Sequence, residues 1–391
     1  MQSLNPAEVR VSRKGADRVT LGHPWIFRSD VADSGAAAPG DVVKVLDWRG
    51  RPLGMAHYSA ASQIALRMLT RRVEEVGREF FRERLRTAIA FRERVVRESE
   101  AYRLVHAEGD LLAGLVVDRY GEYLAIQTLD QGMDRAKGLL VDLLQELVRP
   151  RGIAVRNDVA SRTREALPLE KGVLWGEVPE RVSYRMNGFR FETDLLGGQK
   201  TGVFLDQREN YLAAARYAHG RALDCFTSTG GFALHLAARC ESVEAVDSSM
   251  DALQTADANR EANGIANVEF TEANVFDLLA GYDAAGRRFS TIVLDPPAFA
   301  KSRTSLDAAA RGYKEINLRA LRMLDSGGVL VTCSCSYHVS EAMLLELVAA
   351  ASLDARRTLR VIERRTQSQD HPILLTTPET HYLKCVIFEV V

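Results

Sequence analysis

The sequence predicts an α/β protein: a doubly wound, mostly parallel sheet over residues 191–391, preceded by a small β-barrel over 1–72 and an α+β block over 73–190. Three observations carry this. From about residue 191, strand-like apolar runs alternate with helix-like stretches, as a parallel sheet with crossover helices requires. The first 72 residues carry short alternating runs broken by glycine turns, which suits a small barrel. At 391 residues the chain exceeds one ordinary domain.

The elements follow in order. "GDVVKVLDWRGRPLGMAHYS" alternates, turns at Arg49-Gly50 and alternates again, the pattern of a hairpin. "SQIALRML" reads as a further strand. "EEVGREFFRERLRTAIAFRERVVRES" has apolar residues at helical spacing and no breaker after Gly77, which predicts a long charged helix with a solvated face. "YRLVHAEGDLLAGLVVDRYGEYLAIQTL" returns to strands, with turns at Glu108-Gly109-Asp110 and Tyr120-Gly121-Glu122. "DRAKGLLVDLLQELVRP" is a helix stopped by Pro150, and "GIAVRND" a strand. "VSYRMNGFRFETD" carries Asn187-Gly188 between two alternating arms and leads as a hairpin linker into the last block. There "RALDCF", "SVEAVD", "NVEFTEAN", "TIVLDPP" and "GGVLVTCS" are strands. "GGFALHLAAR", "SMDALQTADANREANG" and "LDAAARGYKEINLRALRML" are helices.

Composition narrows the class. Hydrophobic residues make up 46% and charged residues 26%, a globular profile. Net charge is −1, but residues 1–72 hold 11 Lys/Arg against 6 Asp/Glu, a local excess that suits a polyanionic partner. No segment has the form of a secretory leader, and no apolar run reaches the length needed to span a bilayer. Five cysteines do not form a disulfide framework, which points to a cytoplasmic protein with reduced thiols.

In a doubly wound sheet the ligand sits beyond the carboxyl ends of the strands. The first strand ends in "LDCFTSTGGFALHLA", without the G-x-G-x-x-G dinucleotide pattern. Gly230 and Gly231 open the helix, let a ligand approach the backbone, and offer a helix N-terminus to an anionic group. Asp247 ends the second strand, placed to accept bonds from ribose hydroxyls; the other reading is that it only caps the next helix. Asn274 ends the third and could bond a base edge. Asp295 ends the fourth, held by two prolines in a rigid turn. A nucleoside with a small anionic tail fits this layout.

Taken together, "LDCFTSTGGFALHLA", "VDSSMDAL", "ANVFDLL", "LDPPAFAKS" and "SCSYHVS" resemble a class I S-adenosylmethionine-dependent methyltransferase. With "HPWIFRSDV", "HAEGDLLAGLVVDRYG" and "KTGVFLDQREN", nearly the whole chain resembles the bacterial 23S rRNA (cytosine-5) methyltransferases of the RlmI/RlmO type. The resemblance implies a PUA RNA-binding domain, a middle α+β domain and a Rossmann-like methyltransferase domain. It implies S-adenosyl-L-methionine as methyl donor, along Asp224, Phe226, Thr229, Gly230 and Gly231, with Asp247 at the ribose, Asn274 near the adenine, and Arg208 and Asp295 close by. It implies 23S ribosomal RNA or a large-subunit assembly intermediate as partner, no membrane, and leaves a homodimer open.

Cytosine C5 is a poor nucleophile. A thiolate added to C6 makes C5 enamine-like, and a carboxylate can support N3 during the addition. Asp295 and a cysteine at the ends of adjacent strands would supply both groups. Cys333 and Cys335 point to the same side of an extended strand. Cys333 lies within the apolar run, whereas Cys335 falls on the family's "SCS" pattern, so Cys335 is the expected nucleophile. A zinc corner lacks the other ligands it would need. Two small residues closing a strand stay open as a structural alternative, as do a guanine-N2 methyltransferase that needs no thiol and an RNA-binding factor without turnover. Ala298 stands where many RNA cytosine-5 methyltransferases carry a second cysteine. Cys225, Cys240 and Cys385 read as packing residues, and His371 and His381 either face the pocket or RNA or are structural.

Overall fold

The computed structural model describes residues 6–197, 203–300 and 305–391. Residues 200–202 of "KTGVFLDQREN" and 301–302 of "LDPPAFAKS" lie outside the described residues. The chain parts into two compact units. The first comprises Met1–Tyr184, Thr193–Gly202 and Gln369–Thr380; the second comprises Arg185–Glu192, Val203–Ser368 and His381–Val391.

The first unit opens with a six-stranded sheet, in the order Trp25–Phe27, Ile64–Thr70, Pro52–Tyr58, Val42–Leu46, Glu8–Val11 and Val31–Asp33. Ile26 near one edge and Val9 and Val11 near the other share a buried core with Val43, Val45 and Leu66, so the sheet curls on itself. The expected hairpin is present, with Gly50 at φ +80° in its turn. The helix Arg13–Thr20 was not expected. It contains Gly15 and buries only Gly15, Ala16 and Val19, too short an apolar stripe to read, but Ser12 caps it by accepting from the Gly15 N–H.

A five-stranded sheet follows, in the order Lys171–Gly176, Gly152–Arg156, Tyr123–Thr128, Leu115–Tyr120 and Ala101–His106. The charged helix spans Arg78–Val95 and turns Phe81, Leu85 and Ala88 inward. These side chains share one core with Leu104, Leu140 and Leu144, and with Met55 and Leu69 of the first sheet. That shared core makes the expected boundary at 72 a boundary between two sheets within one compact unit. The segment Gln369–Thr380, expected in the last domain, belongs to the first unit. There the buried Arg92 donates to the Asp370 carbonyl at 2.7 Å, Asp370 accepts from the Arg103 N–H at 2.8 Å, and His371 lies 5.1 Å from His106. The hairpin Val182–Met186 and Phe189–Thr193 turns on Asn187 at φ +55° and Gly188 at φ +85°, both left-handed as a two-residue turn of this hand needs.

The second unit is built on seven strands: β1 (Arg221–Cys225), β2 (Ser242–Asp247), β3 (Val268–Glu272), β4 (Phe289–Leu294), β5 (Leu324–Ser334), β6 (Leu359–Arg365) and β7 (Lys384–Val390). Their order is β3-β2-β1-β4-β5-β7-β6. The first five run parallel, while β7 lies antiparallel between β5 and β6. Helices α1 (Arg208–Tyr217), α2 (Gly231–Ala237), α3 (Met250–Ala262), α4 (Val275–Ala284), α5 (Leu306–Met323) and α6 (Glu341–Asp354) connect them. Leu223, Ile292 and Leu330 pack with Tyr313 and Ile316 of α5 in the core. Strand order reverses between β1 and β4, so their carboxyl ends frame the crevice where such sheets bind ligands. Among the described residues, no helix is long and apolar enough to cross a membrane.

Candidate active site

The loop after β1 carries the first set of expected residues. Phe226 at φ +66°, Ser228 at φ +51° and Gly230 at φ +86° are all left-handed, and for the two non-glycine residues this costs about 1–3 kcal/mol each. The neighbouring bonds over-determine the conformation. Asp224 Oδ2 accepts from Thr227 Oγ1 at 2.6 Å and from the Ala233 N–H at 2.9 Å. The Ser228 N–H donates to Asp247 Oδ2 at 2.9 Å, the Thr227 N–H to the Val246 carbonyl at 3.0 Å, and Asn259 Nδ2 to the Thr229 carbonyl at 3.1 Å. Asp224 and Asp247 therefore hold the loop from two sides.

The two carboxylates differ in environment. Asp224 is fully buried, which pushes its pKa up to about 7 against the pull of its two hydrogen bonds. Its Oδ1 is buried without a hydrogen-bond partner. Asp247 is half-buried, and its Oδ1 accepts from the Ser249 N–H at 3.0 Å. The N-cap of α3 is Ser249, whose side chain accepts from the Ala252 N–H, so Asp247 is not that helix's cap. Each carboxylate oxygen offers two acceptor sites, so Asp247 keeps capacity for ligand hydroxyls. An orphaned buried acceptor, a strained loop and this spare capacity fit S-adenosylmethionine, which brings an ammonium group, a sulfonium and ribose hydroxyls.

The two glycines have different reasons. Gly230 supplies the left-handed turn. A Cβ on Gly231 would run into the Tyr211 ring of α1, so the packing of α1 on α2 by itself requires a glycine here. Gly231→Ala is expected to lower donor-free stability by about 1–3 kcal/mol, read by urea unfolding, because overpacking a rigid ring forces the helices apart. Unchanged donor-free stability with weakened donor binding would return the residue to a ligand role.

Asn274 is the exposed N-cap of α4: its Oδ1 accepts from the Phe276 N–H at 2.9 Å and from the Asp277 N–H at 3.4 Å. That leaves its amide N–H2 as the group to meet a base. The Ala273 N–H bonds the Asp247 carbonyl, so Asn274 stands one residue from the end of β2. Arg208 opens α1, buried, with Nη2 at 3.2 Å from Glu209.

The ends of β4 and β5 carry the second set. Asp295 Oδ1 accepts from Gln207 Nε2 at 3.0 Å, and Gln207 in turn accepts from Asn210 Nδ2 at 2.6 Å. Cys335 is the first residue beyond β5, half-buried, with Sγ 3.9 Å from the Pro296 carbonyl oxygen, next in sequence to Asp295. The other four cysteines are buried. Cys333 faces Cys385 across the β5–β7 ladder, and burial raises its thiol pKa well above the usual range.

The serines beside Cys335 are both fully buried. Ser334 Oγ donates to the Tyr313 hydroxyl at 2.9 Å, that hydroxyl lies 3.2 Å from Ser336 Oγ, and Ser336 Oγ accepts from the Ala300 N–H at 3.2 Å. Tyr313 thus grips the turn on both sides of the cysteine. Gln207, Tyr313 and Lys384 were missed by the sequence reading. For Lys384 a signal existed: it is a lone cation in the apolar strand "YLKCVIFEVV". A cavity of about 440 Å³ opens past the turn, lined by Tyr337, His338, Ser340, Glu341, His381 and Lys384. So His381 faces a cavity, while His371 is buried in the first unit. Among the described residues no cluster could hold a metal ion.

Comparison with known proteins identifies two families along the chain. Residues 9–71 match the PUA-like domain family, and residues 162–388 match the S-adenosylmethionine-dependent methyltransferase family. The chain is 43% identical over 377 residues to the ribosomal RNA large subunit methyltransferase I of Shewanella amazonensis, covering 94% of this chain and 95% of that one. It is 41% identical over 378 residues to the protein of the same name from Shewanella denitrificans, covering 94% and 95%. A solved structure of a candidate SAM-dependent methyltransferase from Streptococcus mutans has the same fold, with a TM-score of 0.83, 19% identity and coverage of 98% of this chain and 100% of that one.

Proposed function

The chain belongs to the ribosomal RNA large subunit methyltransferase I family of S-adenosylmethionine-dependent enzymes, and from that premise we propose that it methylates C5 of a cytosine in 23S ribosomal RNA through a covalent bond between Cys335 and C6. The observation that carries this reading is the place of Cys335. Of the five cysteines, all described, the other four are buried and Cys335 is partly exposed, and it stands at the end of β5 beside the Asp295-Pro296 turn of β4.

The residues divide the work. Asp224, Gly230 and Asp247 hold the loop that receives the donor, and Asn274 offers an amide to its base. The donor supplies an electrophilic methyl group on a sulfonium. Cys335 as thiolate forms the S–C6 bond, and the C5=C6 electron pair moves toward C5 while Asp295 bonds the N3 edge. Once C5 carries the methyl group, loss of its proton returns that pair to C5=C6 and expels the Cys335 thiolate. The reaction needs an extruded base, because C5 and C6 must reach both donor and thiol.

The test is the product. Wild-type protein incubated with unmodified 23S rRNA and labelled S-adenosylmethionine should yield 5-methylcytidine on nucleoside analysis. A methylated guanine would sink the reading, and no methyl transfer with intact RNA binding would leave an RNA-binding factor. Such a substrate places the protein in the cytoplasm.

RNA capture has its own candidate in the PUA-like sheet. Trp48 is 37% exposed in the turn between Val42–Leu46 and Pro52–Tyr58, with the guanidinium carbons of Arg13, Arg49 and Arg51 at 5.8, 5.5 and 6.0 Å from its ring centroid. An aromatic face among cations suits base stacking beside phosphates. Trp48→Ala is expected to weaken RNA binding about tenfold at fixed salt and leave donor affinity unchanged. Equal RNA affinity in a filter-binding titration would move the contact elsewhere.

A further inference from the structure

We infer that Lys384 is the positioning residue for Cys335: its buried ammonium fixes the Ser334-Cys335-Ser336 turn and stabilises the sulfur as thiolate. The inference rests on the reading of Cys335 as nucleophile. A lysine is almost never buried without a reason. Lys384 is 3% exposed at the start of β7, and its Cα pairs with Ser334 across the ladder to β5. From there Nζ donates to the Ser336 carbonyl at 2.7 Å and to the Tyr382 carbonyl at 2.8 Å. An ammonium has three N–H groups, so these two bonds leave a third and the full charge beside the turn.

The surroundings favour that use. Burial pulls the Lys384 pKa down to about 8, and negative charge on Cys335 and Glu341 pulls it back up. Glu341, the first residue of α6, is ion-paired with Arg364 of β6, so its charge is already shared. His338 and His381 line the same cavity, and the hydroxyl of Tyr313, which feels Cys335 and Asp295, approaches from α5. Cys333 and Cys385 face one another on the ladder. Near neutral pH the Lys384 ammonium is therefore a cation placed to balance the sulfur. Cys335 gives its proton to water, Lys384 keeps its own, and a thiolate–ammonium pair results. A neighbouring cation lowers a thiol pKa by one or more units. A lysine that only tied two carbonyls together would move stability and leave the thiol unaffected.

The experiment is the pH profile of Cys335 alkylation by iodoacetamide in the full chain, read on the Cys335 peptide by mass spectrometry. Lys384→Gln should shift the midpoint up by about one pH unit, and Lys384→Arg should restore it. An unmoved midpoint in a variant that still binds S-adenosylhomocysteine overturns the inference. Should Lys384→Gln fail to fold, the reciprocal measurement decides: Lys384 Nζ, followed by ¹⁵N-lysine NMR, should titrate lower in Cys335→Ala than in wild type, because coupling between two sites is mutual. Equal titrations overturn it. The two readings fail separately. Wild type that makes 5-methylcytidine while the midpoint stays put sinks only the role of Lys384. A midpoint that moves in a protein making another nucleoside supports the pairing and sinks the cytosine reaction.

Discussion

Cys335→Ala is expected to lower formation of 5-methylcytidine by more than about 10³-fold, while S-adenosylhomocysteine binding measured by calorimetry stays within a few-fold of wild type. Removing the nucleophile of a covalent mechanism removes the path itself, which is why such losses are among the largest that point mutation produces. The sulfur lies on the turn after β5, and the donor loop lies between β1 and α2, so the two measurements report on different elements. Cys333→Ala is the internal control. That thiol is fully buried and held in its protonated form, so its loss should cost stability of about 1 kcal/mol and only a few-fold in rate. Full activity in Cys335→Ala with 5-methylcytidine as product, and none in Cys333→Ala, would exchange the two roles.

The distinction between those cysteines was open to a reader of the sequence, and the reason is physical. "GGVLVTCS" is an apolar run that places Cys333 inside a strand, and the serines after it mark the strand's end. Alternating strands and helices gave the parallel sheet in the same way, because each element announces itself by its own period. What escaped notice depends on contacts between distant parts of the chain. Tyr313 is one apolar position among many on α5, and nothing local says that its hydroxyl grips Ser334 and Ser336. Gln207 lies 88 residues from Asp295. The serines flanking Cys335 mark the end of the strand, but nothing local shows that both are buried against the Tyr313 hydroxyl. The glycine pair shows the same limit. Gly230 and Gly231 look alike in sequence, yet one answers to a backbone angle and the other to a ring on another helix.

The division of the chain was harder still. A boundary drawn at 72 follows the change from short strands to a long helix, which is a change of local period. Compactness follows shared burial instead, and Met55 and Leu69 bury against Phe81 and Leu85 across that line. The return of Gln369–Thr380 to the first unit has no local signature at all. It is held by partners such as Arg92 and Arg103, which on a charge-rich helix and strand look like solvated residues.

Asp224→Ala is expected to have the second large effect, on both stability and donor binding. The carboxylate satisfies two buried donors, the Thr227 hydroxyl and the Ala233 N–H, and leaving each without a partner costs about 1–3 kcal/mol. A loss of about 2–4 kcal/mol in urea unfolding should follow, together with at least a tenfold loss of donor affinity as Phe226, Ser228 and Gly230 leave their left-handed conformation. Asp224→Asn keeps an acceptor and should keep most of the stability, which separates hydrogen bonding from charge. Charge then shows in the pH dependence. The folded pKa, about 7, lies above the ordinary carboxylate value near 4, so the folded protein binds more protons than the unfolded chain between those limits. Donor-free stability therefore falls as pH rises from about 4 to about 7, and this component vanishes in Asp224→Asn. Donor affinity should run the other way. A cationic donor favours the ionised carboxylate, so binding tightens as pH rises toward about 7 in wild type and stays flat in Asp224→Asn. Wild-type affinity that does not change between pH 5 and pH 8 would mean that Asp224 holds the loop and plays no electrostatic part toward the donor.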